Sequence, residues 1–480
     1  MAGRSTAYMV GTFLRRGAVF LLIPLYTAFL RPDAYAILAF VEVIVSLTRI
    51  IFTLGLDTAA FRFYFTYQDI RERHGFYSSI WLFQLAVSGL LTILLASAGG
   101  RTFGRFIEQI PFDPYIRVAL WIAFFRAGFE FIAMELLRAK GAARTYAWLS
   151  LVSFVVSVGL QVYMVAGVRA GVDGAVMGML WAAVIMAAFY SLVIIRECGP
   201  RPSIRFLSPA LRYSLPLVPH FLAHWLLSLS DRWILERNVS LADLGVYSLG
   251  DQIRQGYNVI PWSANSALMP TFGRASKDHA QRGMIPKLVT YYMLGIGGFG
   301  LAVVLFTPLV LPLIAPPEYS RAVSVVPWLI LGAVFYGAYF MPMNVLAQTL
   351  GVTSTISAIT LLAGGINVGL NLLLVPHFGI MAAAVNTAAG YGVLLALMQR
   401  RAQRKLPLAY ESQRLIKGGV AMLGVYGLSV AVPQVDPAWA NWILRFLLLG
   451  LFPLFLAGLR FFDSPEIERF RQVWANLRGG

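Results

Sequence analysis

Apolar residues run along this chain in stretches of about twenty, broken by short polar segments rich in Arg, Gly and Pro. Such a stretch, coiled as a helix rising ~1.5 Å per residue, matches the ~30 Å hydrocarbon core of a bilayer. The pattern predicts fourteen transmembrane helices, at 12–30, 35–56, 76–98, 116–137, 146–167, 174–195, 213–235, 246–269, 289–312, 324–349, 354–375, 379–398, 416–432 and 439–461. The first run holds Arg15 and Arg16 and lacks a small-residue cleavage site, so it reads as a retained helix and not a signal peptide. No polar segment is longer than about twenty residues, which leaves no room for a soluble domain between spans.

Composition narrows the class. Of 480 residues 58% are apolar and only 13% charged, against about 45–50% and 25% in soluble domains. A soluble enzyme, a secreted module and a disordered scaffold are excluded. The net charge of +17, from 39 Lys and Arg against 22 Asp and Glu, would suggest nucleic acid in a soluble protein. Here it is topological. Of the 39 basic residues, 27 fall on one side of the alternating spans and 8 on the other. That asymmetry predicts cytoplasmic N- and C-termini, with anionic lipid as a partner and no nucleic acid. A single cysteine, Cys198, excludes an intramolecular disulfide and a cysteine metal cluster. No Gly-x-x-x-x-Gly-Lys sequence is present, so transport driven by an on-chain ATPase is excluded. The expectation is no catalytic residue, no metal and no cofactor, save a coupling H+ or Na+.

The halves of the chain repeat. Pro32-Asp33-Ala34-Tyr35-Ala36-Ile37 matches Leu241-Ala242-Asp243-Leu244-Gly245-Val246 at an offset of 209. Gly141, Gly159 and Leu160 match Gly351, Gly369 and Leu370 at 210, and Gly171 to Ala175 match Gly379 to Ala383 at 208. Six spans per copy is an even number, so the copies run parallel about an axis along the membrane normal. The expected fold is an all-α integral membrane protein of two parallel six-helix lobes related by a pseudo-twofold axis, plus two C-terminal helices. The lobes are 1–200 and 201–405, with helices 13 and 14 and a cytoplasmic tail in 406–480.

Ionisable residues at membrane depth cost several kcal/mol and are functional hypotheses by default. Span two carries Glu42 and Arg49 on one face; span eight carries Asp251, Arg254 and Asn258 on one face. The repeat superposes Glu42 on Asp251 and Arg49 on Asn258. One reading is a water-filled cavity between the lobes in which arginines meet an anionic group, because guanidinium bonds two phosphate oxygens at once. The other is structural: Glu42–Arg49 and Asp251–Arg254 as pairs closing a gate. Arg126 and Glu130, i and i+4 in span four, read as a self-neutralising structural pair. Asp231-Arg232 reads as an interfacial end to span seven. Pro216 and Pro219 predict a bend in that span. His220 and His224, with no third ligand nearby, read as interfacial hydrogen-bonding residues rather than a metal site.

The chain resembles the polysaccharide flippase family, transporters of lipid-linked O-antigen, exopolysaccharide and capsule repeat units that share a superfamily with lipid II flippases and multidrug and toxin extruders. The resemblance rests on Ile23-Pro24-Leu25-Tyr26-Thr27 with Leu30-Arg31-Pro32-Asp33-Ala34-Tyr35-Ala36-Ile37-Leu38, and on Gly55-Leu56-Asp57-Thr58-Ala59-Ala60-Phe61-Arg62-Phe63-Tyr64. It continues through Tyr213-Ser214-Leu215-Pro216-Leu217-Val218-Pro219, Ser230-Asp231-Arg232-Trp233-Ile234-Leu235 and Gly245-Val246-Tyr247-Ser248. The family usually has Gly where Ala36 stands. The resemblance implies an inward–outward switch and a cationic site for a pyrophosphate–sugar head. Arg49 and Arg254, then Arg15 and Arg16, with Asn258, are the candidate substrate contacts; Glu42 and Asp251 would bind a coupling ion or form gate pairs. The implied partners are a lipid-linked oligosaccharide, a polysaccharide polymerase and glycosyltransferases. Competing readings are a cation-coupled drug extruder, disfavoured by the arginines, and a membrane glycosyltransferase or ligase, disfavoured by the lack of a partnered loop acid.

Overall fold

The computed structural model describes residues 21–199, 201–275, 279–352, 354–432, 435–464, 466, 468 and 472. Arg15 and Arg16 lie outside them. Among the described residues the chain is helical with no strand. The helices are α1 (21–29), α2 (Pro32–Thr53), α3 (Leu56–Thr66), α4 (Ile70–Phe103), α5 (Arg117–Phe125), α6 (Phe131–Lys140), α7 (Ala143–Val162), α8 (Gly171–Cys198) and α9 (Leu207–Ser214). There follow α10 (Val218–Asn238), α11 (Leu241–Tyr257), α12 (Val259–Ala275), α13 (His279–Ile314), α14 (Ala322–Asn344), α15 (Ser354–Lys405), α16 (Ser412–Ala431) and α17 (Ala438–Gly458).

Every expected span falls on helix, the first of them from residue 21. Nine described helices are long and apolar enough to cross a membrane on those grounds alone, and α15 among them carries two expected spans. Spans four, seven and eight fall short of that standard. Their helices hold Arg126 with Glu130, Asp231 with Arg232 and Glu236, and Asp251 with Arg254. Span eight is moreover divided between two helices of 17 residues each.

Close packing divides the chain into two compact units. The first comprises Met1–Gln252, Ile314–Ala322 and Thr360–Asn386; the second comprises Ile253–Leu313, Val323–Ile359 and Thr387–Gly480. In the first, Phe76, Tyr77, Ile132, Tyr190 and Phe206 form a fully or nearly fully buried core. Its rings meet edge-on, as at Phe76–Tyr77 with centroids 5.4 Å apart. In the second, Leu301, Leu305, Val425 and Leu448 tie α13 to α16 and α17. Outward-facing positions are apolar too: Leu90, Ile93 and Leu94 on α4, and Phe446 and Leu447 on α17. In a lipid solvent that arrangement carries no penalty. Buried hydroxyls within α4 are satisfied locally, Ser88 by the Gln84 carbonyl at 2.6 Å and Thr92 by that of Ser88 at 2.7 Å.

The backbone repeats where the sequence does. Gly141 and Gly351, paired at offset 210, have φ of 76° and 68°; Gly171 and Gly379, paired at 208, have 59° and 57°. All four lie in the left-handed region that favours glycine. Gly379 folds α15 back on itself, and buried Asn367, Asn371 and Asn386 lock the two arms. Asn371 donates to Asn367 at 3.2 Å, Asn386 to Asn371 at 3.0 Å, and Asn367 to the Asn386 carbonyl at 2.9 Å. In the first half Gln161 plays the matching part, donating to the Ala175 carbonyl across Gly171 at 3.0 Å.

Candidate functional site

The two symmetry-related acids find arginines that symmetry does not relate. On α2, Glu42 accepts from Arg126 Nη1 through both carboxylate oxygens, at 3.2 and 3.1 Å. Arg126 opens a π-helical turn, Arg126–Glu130, that joins α5 to α6. A π-turn widens the helix by one residue and re-aims the side chains on it, and such turns recur at functional sites. To the expected pairing of Arg126 with Glu130 on its own helix the structure adds a second: the hydrogen bonds of Arg126 cross to Glu42. Glu130 remains close enough for its charge to act on Arg126. Both side chains of the Glu42–Arg126 pair are open, 49% and 33% exposed. An ionic pair exposed at membrane depth has to face water, because contact with lipid would cost several kcal/mol.

Arg49 lies two turns along the same face of α2. Its guanidinium sits over the Phe131 ring, 4.8 Å from the centroid. Among the described residues it forms no ion pair. The suggested Glu42–Arg49 pair is replaced by this arrangement: one arginine neutralised by Glu42, and a second held by an aromatic face with its charge uncompensated.

Asp251 has a different environment. Arg232 of α10 hydrogen-bonds its Oδ2, and the two side chains are only 4% and 1% exposed. One residue earlier, Asp231 accepts from the Tyr247 hydroxyl, one turn before Asp251 on α11. At the expected end of span seven, Asp231 and Arg232 are both buried within the protein and cross-link α10 to α11. Arg254 is buried as well, its charge acting on the Tyr336 hydroxyl of α14. Asn258 stands at the break between α11 and α12, and its Oδ1 is buried with no hydrogen-bond partner among the described residues. The expected bend of span seven falls at the 3-10 turn Leu215–Leu217, ahead of α10. His224 contacts Ser228 at 3.2 Å. Among the described residues no three His, Cys, Asp or Glu stand close enough together to hold a metal.

Two clusters of charged contacts lay beyond sequence reasoning. Glu236, fully buried at the end of α10, is held by backbone amides of the segment after α4, at 3.0 Å from Glu108 and 3.2 Å from Ile110. In the second unit, Glu466 binds Arg414 at 2.9 Å and Lys287 at 2.8 Å and accepts from the Tyr291 hydroxyl. Burial pushes the Glu466 carboxyl up, but the hydrogen bonds from Lys287, Tyr291 and the Asp463 amide, with the Arg414 charge, outweigh it and hold it at about 2.

Solved structures of the same fold are known. The fold matches that of lipid II flippase MurJ in an inward closed conformation, with a TM-score of 0.75 at 13% identity, covering 96% of this chain and 100% of that one. An inward-facing multidrug resistance MATE family transporter of the MOP superfamily matches with a TM-score of 0.62 at 17% identity, over 83% of this chain and 97% of its own. At these identities the likeness concerns fold alone. In sequence, a Haemophilus influenzae protein of the Lsg locus is 23% identical over 366 residues, 72% of this chain and 81% of that protein. The sequence model of the family described as polysaccharide biosynthesis protein matches residues 4–276. More than half of the chain is thereby accounted for, and the chain belongs to the polysaccharide biosynthesis protein family, built on the fold shared by lipid II flippases and multidrug exporters.

Proposed function

We propose that this protein carries an undecaprenyl-pyrophosphate-linked oligosaccharide from the cytoplasmic to the outer leaflet of the bacterial inner membrane by alternating access. The observation that carries the reading is Arg49, a guanidinium on a membrane-spanning helix with no carboxylate partner among the described residues and seated over the Phe131 ring. An uncompensated cation at that depth is costly unless an anion relieves it. A pyrophosphate does so through two or more charge-assisted hydrogen bonds. Family membership and the fold of a lipid II flippase support the same reading. Arg254, Arg15, Arg16 and Asn258 are proposed as further contacts, and Glu42 and Asp251 as coupling-ion or gate residues. Both termini are proposed to be cytoplasmic, with a polymerase and glycosyltransferases as neighbours in the pathway.

The multidrug exporters of the same fold supply the second reading, a cation extruder. It is disfavoured because Glu42 and Asp251 are each engaged by an arginine, which removes the free negative charge that a cationic drug would require. Proteoliposomes test the choice. Labelled lipid-linked oligosaccharide is expected to cross the bilayer with the parent protein and not with Arg49→Ala, while a cationic dye is not accumulated. Dye transport without glycolipid movement would reverse the assignment.

A further inference from the structure

At the helix ends that the basic-residue pattern places opposite the basic loops, close contacts gather within the first compact unit. At their centre Gly245, in the first turn of α11, abuts Pro32, the first residue of α2. A methyl group built on Gly245 would stand 1.8 Å from the Pro32 carbonyl oxygen and 2.6 Å from its carbon. No side chain fits there. These are the segments matched by the internal repeat, so two pseudo-equivalent helices meet backbone to backbone at their N-termini.

The seam is fastened on both flanks. Tyr319 donates to the Leu30 carbonyl at 2.9 Å and sets its ring edge against Tyr35, with centroids 6.0 Å apart. Arg321 pairs with Asp243, and Thr27 donates to the Ile314 carbonyl. Opposite, the Glu236 carboxylate is gripped by the amides of Glu108, Gln109 and Ile110. Arg237 bonds Glu108 at 2.9 Å, and the Gln109 side chain bonds the Val239 carbonyl at 2.8 Å. Segments 314–322 and 360–386 belong by sequence to the second half of the chain, yet they pack with the first half.

We propose that this seam is the outer gate of the transport cycle, closed by the Gly245–Pro32 contact and latched by Glu236; the proposal rests on the flippase reading above. The latch is reversible for a physical reason. When the seam parts, the Glu236 carboxylate and the amides it leaves are rehydrated, so the bonds broken are replaced by bonds to water. A seam closed by apolar contact alone would expose only hydrocarbon. Gly245 makes the closure tight, because any Cβ at that position wedges α2 and α11 apart.

The test reads accessibility, not transport. With Cys198→Ser as background, Leu30→Cys places one thiol in the seam, where Leu30 is 4% exposed. A membrane-impermeant maleimide added outside intact cells is expected to label it slowly in the parent. Labelling should be about tenfold faster or more with Gly245→Ala, and with Glu236→Ala, which removes the charge-assisted bonds without adding bulk. Gly365→Ala, at a position with nothing within 4 Å, should not change it. Asp243→Asn, on the exposed Arg321 pair, provides a milder variant that reads the seam even if Gly245→Ala fails to reach the membrane. Unchanged labelling in Glu236→Ala and Asp243→Asn, at normal membrane levels, overturns the gate, as does equal acceleration by Gly365→Ala. Accelerated labelling in a protein that moves no glycolipid keeps the gate and removes the proposed substrate; transport without accelerated labelling removes the gate alone.

Discussion

Arg232 and Asp251 form an ion pair across α10 and α11 in a setting where neither side chain reaches solvent. A pair that deeply buried adds little net stability over apolar packing, yet removing one partner strands a charge and costs about 3–5 kcal/mol. Asp251→Ala and Arg232→Ala are each expected to lower the unfolding midpoint markedly in detergent. The double variant should lose far less than the sum of the two. Additive losses in the double-mutant cycle would mean that the two residues act independently.

The Glu42–Arg126 pair, open on both sides, has the opposite balance. Exposed pairs contribute about 0–1 kcal/mol, so Glu42→Gln should leave the unfolding midpoint within a degree or two of the parent, on the order of that contribution. Its effect falls on transport. If Glu42 carries the coupling proton, the neutral variant loses the dependence of transport on a pH gradient while still binding glycolipid. Transport by Glu42→Gln that still follows the gradient would exclude that role.

Arg49 separates charge from geometry. Arg49→Lys keeps the positive charge but loses the fork that spans two phosphate oxygens and the flat contact with Phe131. Arg49→Ala loses both. Charge-assisted hydrogen bonds of about 1.5–3 kcal/mol correspond to roughly 10- to 150-fold in affinity. Apparent affinity for the glycolipid should therefore fall in the order Arg, Lys, Ala, at unchanged abundance in the membrane. Equal transport by all three would exclude Arg49 from the substrate path.

The spans and the repeat were legible because the bilayer imposes a fixed apolar length and because glycine marks left-handed backbone. Gly141 with Gly351 and Gly171 with Gly379 were matched by residue type and recur with positive φ within 8° of each other in each pair. The acids on α2 and α11 were legible as charges at depth. Their partners were not, since an arginine can reach a carboxylate from any packed helix. One signal was available for Arg232: only Val239 and Ser240 join α10 to α11, so the two helices are neighbours and a long side chain near the end of α10 can reach an acid on α11, as Arg232 reaches Asp251. No such signal exists for Glu236, whose partners at 108–110 lie more than a hundred residues away.

Glu466 anchors the segment after α17 to the starts of α13 and α16, and its pH response follows from its environment. Hydrogen bonds from Lys287 and Tyr291 and the Arg414 charge favour the ionised form and hold its pKa at about 2, below the ordinary 4.5. The Lys287 ammonium is pushed up in return, chiefly by its hydrogen bond to Glu466. A carboxylate with a depressed folded pKa binds fewer protons folded than unfolded, so its contribution is complete above the unfolded value near 4.5. It is lost as pH falls toward 2. Glu466→Gln should therefore be less stable than the parent by a constant margin above about pH 5, and the two melting curves should converge as pH drops through that window. Lys287→Met should narrow the margin by raising the Glu466 pKa. A margin that stays constant down to the lowest pH at which the protein survives would show that Glu466 holds the tail by packing and not by charge.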